Sequence, residues 1–286
     1  MIMLNNNLRI FITTAELGNL TEAAKKLYVS QPAISQSIKK LEEELNIKLF
    51  IRNKRSNLIL TDAGRDILAL AYKMADLENK LYQRAYEENH MLGGTVKIAS
   101  VPLGISLILS HVLPVFRRHF PDVHVELLEG SPLEVKNMIF SFQADFGITT
   151  SPYMNMEHRL LMMDRMVSIS KNEAAEVNLK NPVPDLILCR VALDSIEEQL
   201  AGQDIDLSHA QIVQAASTQI NLIEEGNGVG VISELMLSTI PNQLVRGCVV
   251  PKMDAIEISL VTQHFNELST AAKEMSEMIL EQSKIE

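Results

Sequence analysis

A chain of 286 residues with 47% hydrophobic and 22% charged side chains is long enough for two or three ordinary domains and has the makeup of a soluble globular protein. Two cysteines, Cys189 and Cys248, with no CxxC pair, exclude a disulfide framework and a thiolate zinc module and fit a reducing compartment. The net charge of -10 argues against a uniform nucleic-acid binder, yet residues 1–65 carry ten basic against six acidic side chains while residues 91–286 carry thirteen against twenty-five, so a basic head is joined to an acidic body.

The start, MIMLNNNLRI, has no basic stretch followed by an apolar core, so no signal peptide is expected and the chain reads as cytoplasmic. Residues 5–17 form a first helix, with Leu8, Phe11, Ile12 and Ala15 inward. After the turn LGNL, Thr21 is the expected N-cap of TEAAKKL. Ser30 is the expected N-cap of the next helix, Pro32 lies in its first turn, and Asn46 provides a left-handed stop. Along that helix Ile34, Ile38, Leu41 and Leu45 share one apolar face, while Gln31, Ser35, Gln36, Lys39 and Lys40 occupy the other. KLFIRNKRSNLILT then reads as strand, basic tip and strand, which makes the head a winged helix-turn-helix over residues 1–65.

Residues 62–91 read as one long linker helix. Ile67, Leu70, Met74, Leu77 and Leu81 step by three and four, an a/d seam that asks for a second copy of the helix. Gly93 and Gly94 end it as a hinge. The stretch 98–116 lacks Asp, Glu, Lys and Arg, but Pro102, Gly104 and Pro114 break it, so it reads as a buried strand, turn and helix rather than a membrane span. From Thr95 onward β-rich runs alternate with helical ones, which indicates an α/β body with mostly parallel sheets and no membrane contact. Neither a GxSxG elbow, an HExxH pair nor a Walker loop is present, GNGVG at 226–230 has the wrong spacing for a dinucleotide turn, and His119 and His124 lack a third ligand. No catalytic or metal site and no cofactor are expected.

The first 65 residues resemble the LysR-type transcriptional regulators closely: AELGNLTEAAKKL, SQPAISQSIKKLEEEL and LFIR…LTDAG occur in that family's order and spacing. ADFGIT and INLIEEGNGVGVIS are weaker anchors in the body. The resemblance implies a fold of α/β class with an N-terminal winged helix-turn-helix, a long linker helix and two Rossmann-like subdomains resembling a periplasmic binding protein. The body is then expected at 92–286, with subdomain I at about 92–163 and 263–286 and subdomain II at about 164–262. It further implies double-stranded DNA and a small-molecule effector as partners, a homodimer assembling into a tetramer, and leaves RNA polymerase as a further partner.

Matched residue by residue, Gln31, Pro32, Ser35 and Gln36 are the base-edge candidates, with Gln36 standing where the family very often has Arg. Thr21, Ser30, Lys39 and Lys40 are expected at phosphates, and Arg52, Lys54 and Arg55 of the wing at phosphate or minor groove. For the effector, polar groups at strand ends are expected: Ser100 and Pro102 after VKIAS, Ser131 at a helix start, Thr149 and Thr150 after DFGI, and Ser217 and Thr218 after QIVQAA. Taken together they favour a small anionic metabolite. Two alternatives stay open: a metabolite-binding protein without a regulatory role, and a redox-sensing regulator using Cys189 and Cys248.

Overall fold

The computed structural model describes residues 6–52, 58–88 and 93–283. The head is built from helices α1 (Asn6–Leu17), α2 (Leu20–Leu27) and α3 (Gln31–Leu45), followed by strands β1 (Phe50–Arg52) and β2 (Leu58–Leu60). The two strands pair antiparallel, with Arg52 opposite Leu58, and the tip that joins them, with Lys54 and Arg55, lies outside the described residues. Asn19, not Thr21, caps α2: its carboxamide accepts from the amides of Thr21 and Glu22, so Thr21 is already inside the helix. Ser30 caps α3, and Asn46 stops it in the left-handed region at φ 52°.

Leu8, Phe11, Leu41, Leu49 and Ala71 form one small core of the head, and Ile10, Ala23, Ala24, Ile34 and Ile38 a second. Leu45, expected inward, is exposed as the last residue of α3. Gly64 is required by packing, since a Cβ there would stand 2.2 Å from the carbonyl oxygen of Leu49. Among the described residues of this domain, Glu42 is the one buried carboxylate. It accepts from the amides of Leu49 and Phe50 and from the Lys48 ammonium, and so fixes the start of the wing. Burial raises its pKa, but these bonds outweigh the burial and leave it below the ordinary value.

Helix α4 (Asp62–Glu88) carries the chain to the body. Leu70, Met74, Leu77 and Leu81 lie exposed along it, at 58, 51, 57 and 49%. Ile67, expected in the same seam, is instead half-buried and packs against the first core of the head. The start of the seam is therefore covered by the chain's own domain. Near its other end Asn79 clasps Thr95, donating to its carbonyl (2.6 Å) and accepting from its amide (3.2 Å).

The first body sheet has the order β4-β3-β5-β13-β6, from β3 (Gly94–Ser100), β4 (Val123–Glu129), β5 (Phe146–Thr150), β6 (Glu157–Asp164) and β13 (Ile256–Thr262). The second has the order β10-β9-β11-β7-β12-β8, from β7 (Met166–Ser170), β8 (Glu176–Asn178), β9 (Leu186–Cys189), β10 (Gln211–Val213), β11 (Val229–Ser233) and β12 (Val245–Val250). Both sheets are mixed rather than mostly parallel: β7 runs antiparallel to β11 and β12, and β13 antiparallel to β5 and β6. The chain enters the second sheet through β7 and returns to the first through β13, and a connection that doubles back reverses strand direction.

That return also corrects the subdomain boundary. Ile256–Thr262 was expected in subdomain II, but β13 lies inside the first sheet, so the second crossing falls between β12 and β13. A β-rich run such as IEISLVT, buried from Ile258 onward, announces a core strand without saying which core it joins.

Subdomain I is completed by α5 (Pro102–Gly104), a π-turn (Ile105–Leu109), α6 (Ser110–His119), α7 (Pro132–Phe140) and α11 (Thr270–Gln282). Subdomain II is completed by α8 (Arg190–Gln199), α9 (Ala216–Glu224) and α10 (Glu234–Thr239). The uncharged stretch 98–116 becomes the end of β3, α5, the π-turn and α6, and no described helix is long and apolar enough to cross a membrane.

Candidate functional site

Two sites follow from this frame. The first is the outer face of α3. Thr21, Ser30, Gln31, Pro32, Gln36, Lys39 and Lys40 are all exposed, and Ser35 is half-buried. Ile34 and Ile38, fully committed to the core, hold that face outward. Lys39 and Lys40 stand 3.5 and 4.0 Å from Glu43 and Glu44 one turn on. Exposed pairs of this kind are weak, at about 0.3–0.5 kcal/mol, so both ammonium groups remain available to phosphate. Arg52 ends β1 opposite Leu58, while Lys54 and Arg55 fall outside the described residues.

Sequence reasoning missed Tyr28. It occupies the left-handed position between α2 and α3 (φ 55°) and is 95% exposed, beside the N-terminus of α3. An aromatic residue with a hydroxyl, left in water where the turn gives it no packing partner, was readable as an oddity of LYVSQ.

The second site is a cavity of about 380 Å³ between the two subdomains. It opens at the carboxyl ends of β3, β4 and β5 on one side and of β9 and β11 on the other, the usual place for a ligand in an α/β sheet. Of the expected effector residues, Pro102, Ser131 and Thr150 line it.

The remaining four serve elsewhere. Ser100 is fully buried, donates to the carbonyl of Val101, and would meet a Cβ at Gly104 at 2.5 Å, so it packs beneath α5 rather than facing the cavity. Thr149 is fully buried and donates to the carbonyl of Pro132 (3.3 Å), tying α7 to β5. Ser217 and Thr218 lie exposed at the start of α9, outside the cavity wall. Helix α9 follows β10, the edge strand, and sits one strand too far out. The wall of subdomain II comes instead from α8, which follows β9.

The cavity wall carries more acidic than basic side chains. Among the described residues, Glu129, Asp164, Asp194 and Glu198 line it, against Arg190 as the one basic lining residue. The N-terminus of α7, read as an anion site, is filled by the chain itself. Glu134 accepts from the Ser131 amide and hydroxyl at 2.8 Å each, which holds its carboxyl below the ordinary value.

Asp164, unforeseen from the sequence, pins the first crossing between subdomains. Its carboxylate accepts from the amides of Arg165 (2.7 Å) and Leu235 (3.1 Å) and from the Ser233 hydroxyl (2.5 Å). Next to it Arg165 grips Glu234 through two bonds, 2.6 and 3.1 Å.

The cysteines are badly placed for a redox pair. Cys189 is buried at the end of β9, where burial pushes its thiol above the ordinary value, and Cys248 is exposed on β12. Three strand spacings, roughly 14 Å, separate those strands, against a Cα limit of about 7 Å for a disulfide.

Comparison with known proteins agrees with this geometry. Residues 5–65 match the family model described as bacterial regulatory helix-turn-helix protein, lysR family, and residues 89–284 match the LysR substrate binding domain. The chain is 36% identical over 286 residues to the HTH-type transcriptional regulator YoaU of Bacillus subtilis (strain 168), covering 98% of both chains. It is 29% identical over 234 residues to the regulator CysB of Burkholderia cenocepacia, covering 76% of this chain and 73% of that one.

Among solved structures, full-length OxyR from Pseudomonas aeruginosa aligns with a TM-score of 0.68 at 18% identity, covering 98% of this chain and 94% of that one. CbnR in complex with its target DNA aligns at 0.62 and 19%, covering 96% and 98%. At those identities the two structures speak for the fold. Head and body together place the chain in the LysR family of DNA-binding transcriptional regulators, which act on genes through a helix-turn-helix and an effector-binding domain and are not enzymes.

Proposed function

We propose that two copies of the chain pair through Leu70, Met74, Leu77 and Leu81 of α4, and that each α3 enters the major groove of one operator half-site in the cytoplasm. Gln31, Ser35 and Gln36 read base edges, where Gln can pair with adenine through two bonds and Ser can donate or accept. Pro32 adds an apolar contact. Thr21, Ser30, Lys39 and Lys40 hold phosphates, with Arg52, Lys54 and Arg55 of the wing reaching the flanking backbone or minor groove.

The effector occupies the cavity between the subdomains, against Pro102, Ser131 and Thr150 on one wall and α8 on the other. The observation that carries this is the cavity itself, which takes one wall from each subdomain and therefore changes shape when they move. A ligand that prefers the closed arrangement shifts the population towards it, turning about the crossings near Asp164 and between β12 and β13. The heads of the dimer are then re-spaced on DNA. A ligand with equal affinity for both arrangements would have no effect.

The test is genome-wide mapping of bound DNA together with expression of the neighbouring genes, for the native chain and for Val191→Trp. Val191 is 43% exposed on the cavity wall, so a larger side chain there fills the space without entering the core. Binding is expected at promoters in both cases, with the Val191→Trp genes fixed in one expression state. Bound DNA with no preference for promoters would refute the regulatory assignment. Normal regulation in the variant would refute the cavity as the effector site.

A further inference from the structure

The walls of the cavity carry an imbalance of charge that specifies what it takes. This inference rests on the cavity being the effector site. Asp194 and Glu198 lie one turn apart on α8, Glu129 ends β4 on the facing wall, and Asp164 sits at the crossing. Arg190, the one basic lining residue, already stands 3.5 Å from Asp194. Glu129 and Glu198 make no hydrogen bond and no ion pair among the described residues, and both are exposed at the mouth. Lys136, buried on α7, contributes a positive charge facing Glu198, and burial pushes its amine below the ordinary value while Glu198 opposes that. With Lys136 counted, the walls still hold a surplus of two negative charges.

The interior differs from the mouth. Leu103, Met166, Ile232, Met236 and Ile258 line it, so the cavity is an apolar chamber with carboxylates at its entrance. A carboxylate or phosphate ligand would meet like charge there, and the α7 N-terminus that might have offset this is occupied by Glu134. A protonated amine would instead give Glu129 a partner and Glu198 a direct one beside the more distant charge of Lys136, while its hydrocarbon body fills the chamber.

We infer that the effector is an organic amine: a small molecule with a protonated nitrogen held at the mouth by Glu129 and Glu198 and an apolar body lodged between the subdomains. This departs from the anionic metabolite expected from strand-end serines and threonines alone.

The experiment is a calorimetric titration of the full-length protein with three amines, hexylamine, 2-phenylethylamine and tryptamine. Each is matched to a carboxylate of similar body: hexanoate, 3-phenylpropanoate and indole-3-propanoate. At least one amine is expected to bind tenfold or more tighter than its matched carboxylate. Glu129→Gln with Glu198→Gln should weaken that amine about tenfold, the scale of one charge-assisted hydrogen bond, and Val191→Trp should abolish its binding. Both glutamates are exposed, so the isosteric amides leave the fold intact; an unchanged thermal transition checks this.

Preference for the carboxylates, lost in Val191→Trp, would overturn the charge class and leave the cavity standing as the effector site. Binding that survives Val191→Trp would place the ligand elsewhere and overturn both. Absence of binding by every member would overturn the amine proposal alone, since the promoter mapping tests the cavity independently.

Discussion

Replacing Leu77 by glutamate should take the dimer apart. Four side chains of α4, Leu70, Met74, Leu77 and Leu81, are about half exposed in the single chain, at 58, 51, 57 and 49%. Full burial of a leucine or methionine stabilises by about 1.5–3 kcal/mol, so covering the exposed half gives about 1 kcal/mol apiece. Two facing helices thus gain about 8 kcal/mol along the seam, the scale of a micromolar complex before the cost of association is met. Leu77→Glu removes about 2 kcal/mol of that across both copies. It also sets two carboxylates into the centre of the stripe, where each must be desolvated without a partner. Together these should weaken pairing by at least about a hundredfold. Sedimentation velocity from nanomolar to micromolar protein reads this directly, with Leu77→Met as the control that keeps the seam apolar. An unchanged dimer in Leu77→Glu would refute the assignment of this stripe as the pairing surface.

Three further outcomes follow from single residues. Gln36→Ala should cost about 1–3 kcal/mol of specific DNA affinity while binding to random duplex is unchanged; competition titrations read the ratio, and equal losses on both DNAs would make Gln36 a non-specific contact. Glu42→Ala should destabilise the head by about 1–3 kcal/mol in urea unfolding, because the Leu49 and Phe50 amides lose their acceptor. Its lowered pKa means that this contribution is present above the ordinary carboxylate range and is lost as pH falls, so native and variant should converge in acid. Asp145 works in the opposite sense. Burial pushes it up to about 6 from 3.8, with the Lys97 amide opposing and the nearby Asp76 of α4 adding to the rise. The folded chain therefore holds a proton that the unfolded chain has released between about pH 4 and 6, and stability is lost as pH rises through that window. Asp145→Asn should gain up to about 3 kcal/mol on the native protein between pH 4 and 8. A difference in thermal transition that does not vary with pH would refute it.

The head was legible because its signals are local. Ser30, Pro32 and Asn46 state where α3 begins and ends, and the spacing of Ile34, Ile38 and Leu41 leaves only one face for Gln31, Ser35 and Gln36. The body was legible as α/β but not in its wiring. Nothing in AIEISLVTQ says that β13 returns to the first sheet, because sheet membership is set by long-range pairing. The effector site was half legible for the same reason. A strand-end hydroxyl marks a place where a ligand can bind only if that strand lies inside the sheet, and Ser217 and Thr218 follow an edge. Glu129, Asp194 and Glu198 were invisible as a group, since 65 or more residues separate the first from the others and only the closing of two subdomains brings them to one mouth. Asp164 and Glu42 have the same character: single acidic residues in ordinary sequence, given meaning by the amides that converge on them.

The central claim is that paired copies of this chain read DNA through two α3 helices held at a fixed separation by α4. Selection of bound duplexes from a random pool by the full-length protein tests it most directly. Recovered sequences should contain two inverted half-sites whose centres lie about one helical turn, or a whole multiple of it, apart, and Leu77→Glu should recover them far less efficiently. Recovery of a single unpaired half-site, or of no motif at all, would contradict it.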